Sequence, residues 1–165
     1  MLSQLTGMHD RAEEFADRAS REYGFEVDVE EFPEGTKTAA DAAEAVGCDV
    51  AQIASSIAMR ADDRLVVVVT SGANRVSEAK LAGLLGLAAD DVAMADAGEI
   101  KAALGWSIGG VPPFCHDAEV PVYLDETLTE FETVWAAAGT PEAVFPIDPA
   151  TLAELSGAEV ADVAE

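Results

Sequence analysis

Two aliphatic runs, Gln52–Met59 and Leu65–Thr70, sit on either side of the short polar turn Ala61-Asp62-Asp63. The second run is dense in β-branched valine, which loses rotamer freedom in a helix but packs well on a pleated surface. Both runs have the length of a strand, and the segment between them has the polarity of a hairpin connection. An isolated hairpin is marginal in water, so the pair predicts a larger sheet that other elements complete and cover.

The rest of the sequence supplies those elements. His9–Tyr23 places Ala12, Phe15, Ala16 and Ala19 at helical spacing, with Gly24 as a stop. Phe25–Glu30 alternates apolar and acidic residues, which predicts a half-buried strand, and Pro33-Glu34-Gly35 predicts a turn. Thr38-Ala39-Ala40-Asp41 resembles a capping box opening a helix that ends at Gly47. Ser71-Gly72-Ala73-Asn74 turns into a helix over Val76–Leu85; a strand at Val92–Ala95 and an Asp96-capped helix to Leu104 follow. Val120–Leu124 reads as a strand, and Thr133–Ala138 with Ala143–Ile147 as a further pair around Gly139-Thr140-Pro141. Asp148-Pro149 places an N-cap before a proline at the first helical position, so a last helix runs to Ser156. Interspersed helices and strands over 165 residues, with no repeat or linker, predict a single α/β domain with a mixed sheet.

Charge narrows the function classes. The sequence has 32 acidic against 9 basic side chains, a net charge of −23, and 32 alanines. Such a field opposes compactness and nucleic-acid contact in dilute buffer, but molar salt shrinks the screening length to about 3 Å. The composition therefore suggests a halophilic host; an ordinary acidic protein is the alternative. Residues 60–101 hold Arg60, Arg64, Arg75, Lys80 and Lys101 against 7 acids, whereas residues 102–165 hold no lysine or arginine. A phosphate-facing surface would draw on that middle segment; otherwise its bases pair with neighbouring acids. The longest aliphatic run, Leu65–Val69, is far below the roughly 20 residues of a membrane span, and Met1-Leu2-Ser3-Gln4 does not read as a signal peptide. A cytoplasmic protein with no membrane partner is expected.

Cys48 and Cys115 are too few for a disulfide framework or a four-thiolate zinc site. Cys115-His116 invites a nucleophile–base reading, but adjacent side chains diverge and a thiolate needs its base across space. His9, Cys48, Cys115 and His116 have no recognised ligand spacing, so neither metal nor cofactor is expected. Ser55-Ser56 lies in the first hairpin strand without a G-x-S-x-G elbow, and strand alternation sends the two hydroxyls to opposite faces. Asp125, at the end of a strand, either orients a substrate group or caps the following turn. Gly109-Gly110-Val111-Pro112-Pro113 breaks both regular periodicities: its glycines admit close backbone approach and its prolines hold one shape. It is either a rigid connector or the wall of a binding site.

Taken in order, Thr38–Ala43, the strand 52–60, Gly72 with Asn74–Leu81, Gly105–Pro113 and Asp125 resemble the YbaK family of prolyl-tRNA synthetase-associated editing domains. The resemblance runs from about residue 25 to the C-terminus, after an N-terminal helix in residues 1–24, and its most specific part is the G-x-x-x-P loop Gly109–Pro113. It implies a curved, partly barrel-like mixed sheet flanked by helices. It also implies hydrolysis in trans of the ester joining a wrong, small or medium amino acid to the 3′ acceptor end of a tRNA. An aminoacyl-tRNA synthetase is a further implied partner. Catalysis would lean on the substrate's own ribose hydroxyl and a held water. Gly109, Gly110 and Ser55 would stand at the ester, and Thr38, Ser56, Arg75, Lys80, Val111, Pro112, Pro113 and Asp125 would bind substrate. Trp106 or Phe114 would stack on the adenine or else pack in the core.

One departure is evident: where the family pattern has lysine, this sequence has Ser55. A serine cannot act as a point charge toward phosphate or ester. Three explanations stay open: Arg60, Arg75 or Lys80 supplies the charge, Ser55 binds by hydrogen bonding with altered specificity, or the domain binds charged tRNA or a synthetase without catalysis.

Overall fold

The computed structural model describes residues 10–32 and 38–165; the turn expected at Pro33-Glu34-Gly35, and His9, lie outside them. The elements run in the order α1 (Asp10–Tyr23), β1 (Glu30–Glu31), α2 (Ala39–Val46), β2 (Ile53–Ala61), β3 (Arg64–Ser71) and α3 (Glu78–Leu85). They continue with β4 (Val92–Met94), α4 (Ala97–Leu104), β5 (Val122–Asp125), β6 (Val134–Ala137), β7 (Ala143–Ile147), α5 (Pro149–Ser156) and β8 (Glu159–Ala161).

The hairpin forms as its sequence predicts, with β2 and β3 antiparallel from Ala54 opposite Ser71 to Ala61 opposite Arg64. It becomes the middle of one mixed sheet in the order β1-β7-β6-β2-β3-β5-β8, with β4 also paired to β2. Alternation along the hairpin serves two layers. Ala54, Ala58, Val67 and Val69 face the main core, while Met59, Ala61, Val66 and Val68 face Leu81 and Ala82 of α3. In the main core Phe15 of α1 meets Phe145 at 5.1 Å, Phe114 at 5.4 Å and Trp106 at 6.1 Å between ring centroids. Truncating such a ring to alanine costs about 3–5 kcal/mol.

The caps are those the sequence signals. Thr38, Ser77, Asp96 and Asp148 each accept a backbone N–H in the first turn of their helices, and α2 to α5 each stop at a left-handed glycine. Capping by Ser77 starts α3 at Glu78, two residues later than expected. The larger difference is at Phe25–Glu30. Phe25, Val27 and Val29 do pack against the core, as the alternation requires, but ladder pairing involves just Glu30 and Glu31, opposite Val144 and Ala143 of β7. Alternation reports which side chains turn inward; it does not report whether a neighbouring strand reaches the backbone. Strand β8, parallel to β5, was not expected, since Glu159 and Val160 are exposed and show no burial pattern.

One consequence of the topology defines the site. Strand β6 runs parallel to β2 at Ile53 and Ala54, and β4 joins the same edge antiparallel from Met59 to Ala61. Between them, at Ser55–Ile57, no strand pairs with that edge of β2 among the described residues. No described helix is long and apolar enough to cross a membrane.

Candidate active site

A cleft of about 320 Å³ opens along this gap. Its floor is Ile53–Ala58 of β2, and its walls come from Thr38, Ala39 and Ala42 at the start of α2, Ile108, Gly109 and Val111 of the glycine–proline bend, and Trp135 and Ala137 of β6. Thr140, Pro141, Ala143 and Val144 close one side; Met94 and Ile100 close another. The size falls at the lower end of the range for small-molecule sites. Among the described residues none that lines the cleft ionises, and what they offer a ligand is neutral oxygens, backbone groups and apolar surface. Met94 and Ile108 are 60% and 53% exposed, which makes the mouth of the cleft apolar.

The bend is held rigidly against the β6–β7 turn. Gly109 takes φ +88, a left-handed conformation that favours glycine, and places its backbone in the cleft wall. Gly110 lies against Thr140, with its N–H donated to the Ser107 carbonyl at 3.0 Å. That amide is therefore committed within the bend, and Gly110 is absent from the lining. Pro112 and Pro113 are buried and also outside it; the Pro112 carbonyl accepts a bond from His116 Nε2 at 2.7 Å. The prolines brace the wall from behind.

Of the residues singled out in the sequence, the structure brings Thr38, Ser55, Ser56, Gly109 and Val111 together around one cavity. Thr38 does so while capping α2 through its hydroxyl, which accepts from Asp41 N–H at 3.1 Å. The others lie elsewhere. Lys80 pairs with Asp162 at 2.9 Å and donates to the Ala164 carbonyl, tying α3 to the C-terminal segment. Arg75 is exposed in the turn before α3, its carbonyl accepting the Glu165 N–H. Asp125, 1% exposed, accepts from Thr70 Oγ1, Ser71 N–H, Asn74 Nδ2 and Thr127 N–H. Burial pushes its carboxyl pKa up, but the bonds from Asn74, Ser71 and Thr127 outweigh it and hold the group below the usual carboxylate range. It joins β3 to β5 as a structural hub.

The two candidate stacking rings are core residues. Trp106 is fully buried, donates Nε1–H to the Cys115 carbonyl at 2.9 Å, and carries the Arg11 guanidinium 4.1 Å from its ring centroid. Phe114, 2% exposed, packs between Phe15, Tyr23, Phe25 and Phe145. The aromatic at the cleft is Trp135, opposite Ile53 in the β2–β6 register. Nothing in the local pattern marks it, because its place depends on that long-range pairing.

Cys115 and His116 belong to a different surface, a separate cavity of about 530 Å³ between the bend and α5. Burial pushes the Cys115 thiol up to about 12, so it stays protonated at neutral pH. Burial likewise lowers the His116 pKa below the usual histidine range, and donation to the Pro112 carbonyl places its proton on Nε2. The pair forms no activated nucleophile. Among the described residues no group of three or more His, Cys, Asp or Glu side chains is placed to hold a metal.

The aminoacyl-tRNA editing domain family matches residues 33–155. The uncharacterised protein YwhH of Bacillus subtilis is 34% identical over 138 residues, covering 82% of this chain and 85% of its own. A proline–tRNA ligase of Lactobacillus helveticus is 32% identical over 127 residues; these cover 70% of this chain but 21% of the ligase. A crystal structure reported as a candidate trans-editing enzyme for prolyl tRNA synthetase superposes with a TM-score of 0.90 at 36% identity, covering 96% of this chain and 99% of that one. The cleft beside the Gly109–Pro113 bend therefore sits in a protein that belongs to the aminoacyl-tRNA editing domain family.

Proposed function

We propose that this protein is a trans-acting aminoacyl-tRNA deacylase that removes a small or medium amino acid from the 3′ end of a mischarged tRNA. The observation that carries this reading is the cleft of about 320 Å³ walled by Gly109 and Val111 in a member of the editing-domain family. Water adds to the ester carbonyl carbon, the bond from that carbon to the ribose oxygen breaks, and the departing oxygen takes a proton. The products are a free amino acid and an uncharged tRNA end. The cleft's lack of an activated protein nucleophile agrees with a route in which the adjacent ribose hydroxyl orients the water and relays the proton. The protein's contribution is then orientation and preorganised donors for the developing oxyanion. Gly109, which has no side chain, puts backbone in the wall for this, whereas Gly110 N–H is already bonded within the bend.

A panel of mischarged tRNAs incubated with the protein in molar KCl tests the reading. Release of one small amino acid well above the spontaneous rate is expected; spontaneous hydrolysis alone across the panel overturns it. One observation favours a second reading, a binding module for charged tRNA or a synthetase: among the described residues no cation lines the cleft, where Ser55 stands at the place that the family pattern gives to lysine. In that case the protein binds charged tRNA without turnover.

A further inference from the structure

The gap in the sheet presents one unused rung of backbone. The Ile53 carbonyl accepts from Gly72 N–H on the β3 side of β2, whereas the Ala58 carbonyl accepts from Ala95 N–H on the opposite edge. Residues two apart in a strand direct their backbone groups to the same side, so Ser56 shares the orientation of Ala58 and turns its N–H and carbonyl toward the open edge. Among the described residues that edge is unpaired from Ser55 to Ile57, after β6 leaves and before β4 begins. The Ser56 side chain adds a second signal: its Oγ is buried and has no hydrogen-bond partner among the described residues. A buried hydroxyl left unmatched is costly, and a bound polar group recovers that cost.

We infer that Ser56 reads the α-amino group of the acyl moiety, its Oγ and backbone carbonyl accepting from the amine while its N–H faces the acyl carbonyl. This deepens the deacylase reading and rests on it. With a three-residue opening, about 10 Å of strand, the edge fits a single amino acid residue rather than a peptide. Among the described residues the lining holds no carboxylate, so the oxygens it offers the amine are neutral. Such a site recognises any small amino acid by the groups all share and leaves side-chain selection to the apolar walls.

Non-hydrolysable 3′-alanylamino-3′-deoxyadenosine, its N-acetyl form and its propionyl counterpart, which has no donor at the α-carbon, titrated calorimetrically in molar KCl, test the inference alongside the deacylation panel. The free-amine form binds, N-acetylation weakens it at least about tenfold, and Ser56→Ala weakens it about ten- to a hundredfold, the loss expected for one hydrogen bond to a charged group. Ser56→Ala leaves the propionyl form within about twofold, and Ser56→Thr, which keeps the hydroxyl, restores the free-amine form. Equal binding of the N-acetyl form, or an equal loss for both forms in Ser56→Ala, overturns the role of Ser56 while leaving the deacylase reading intact. Turnover of tRNA with no binding of any analogue does the same. Absence of both turnover and binding removes the two together.

Discussion

Gly110 and Thr140 are packed so closely that a Cβ on the glycine would lie 2.6 Å from the threonine Cα. The contact is backbone against backbone, so no side-chain rotation relieves it. It joins the bend carrying Gly109 and Val111 to the turn that closes the other side of the cleft. Gly110→Ala is therefore expected to cost about 1–3 kcal/mol through overpacking and to widen the wall. Thermal unfolding reads the first effect. Deacylation kinetics read the second as a fall in kcat/KM larger than that of a distant variant of equal stability. An unchanged melting temperature with full turnover would show that the bend does not depend on this contact.

Asp125 is a buried carboxylate with donors from Thr70, Ser71, Asn74 and Thr127, and Asp125→Asn replaces an acceptor by a group that brings its own donors. The loss expected is about 2–3 kcal/mol, the scale of hydrogen bonds to a charged partner. Its folded pKa is lowered, so its contribution is present above the unfolded value of about 3.9 and disappears as pH falls through the lower folded value. Denaturant titrations of both proteins from pH 7 to pH 2 check this. The difference between them should shrink in acid, and a constant difference contradicts the assignment.

His116 gives a second acid limb at higher pH. Burial lowers its folded pKa, so the unfolded state binds the proton more readily and stability rises with pH up to the unfolded value of about 6.5. His116→Gln can still donate to the Pro112 carbonyl but cannot titrate. The variant should therefore lose the slope between about pH 6.5 and the folded pKa while keeping its stability at pH 8. Chemical denaturation at closely spaced pH values measures it; identical slopes in the two proteins would exclude His116 as the source.

Much of this architecture was legible because short-range chemistry decides it. The valine run, the Asp-Asp turn, the caps at Thr38, Asp96 and Asp148, and Pro149 after its cap each specify local geometry on their own. Thr38, Ser55, Ser56, Gly109 and Val111 follow from the residues and the family resemblance, and they line one cavity. Trp135, Pro141 and Met94 do not, since their place beside β2 depends on pairings that link distant segments. Arg75 and Lys80 show the converse. Sequence proximity to family motifs places them with the substrate, but α3 packs on Met59, Val66 and Val68, and Lys80 is spent on Asp162.

Ser55→Lys separates the two functional readings. Among the described residues of wild type no ionisable side chain lines the cleft, and a lysine at 55 meets no carboxylate among them. Its ammonium would sit unpaired among apolar walls, a costly placement unless it reaches the mouth. The expected result for a retuned enzyme is at least about a tenfold fall in kcat/KM on the amino acid that wild type removes, about 1.4 kcal/mol in barrier. Turnover appearing in the variant where wild type shows none would assign the protein instead to the binding modules.

Salt tests the charge distribution as a whole. The described ion pairs include Arg11–Glu14, Arg18–Asp117 and Lys80–Asp162, all surface contacts of the kind worth about 0–1 kcal/mol each. They cannot neutralise 32 acids with 9 bases, so most carboxylates repel one another across the surface. At 0.1 M salt the screening length of about 10 Å lets that repulsion span neighbouring elements; at 1 M it falls to about 3 Å and the repulsion becomes local. The folded state then carries less electrostatic strain, and the melting temperature should climb steadily from dilute buffer to molar KCl. Binding of tRNA should weaken far less over that range than for a basic protein, because few phosphate contacts mean few counterions to release. Circular dichroism melts at increasing KCl give the first curve and filter binding gives the second. A melting temperature that stays flat with salt would remove the case for a protein adapted to molar ionic strength.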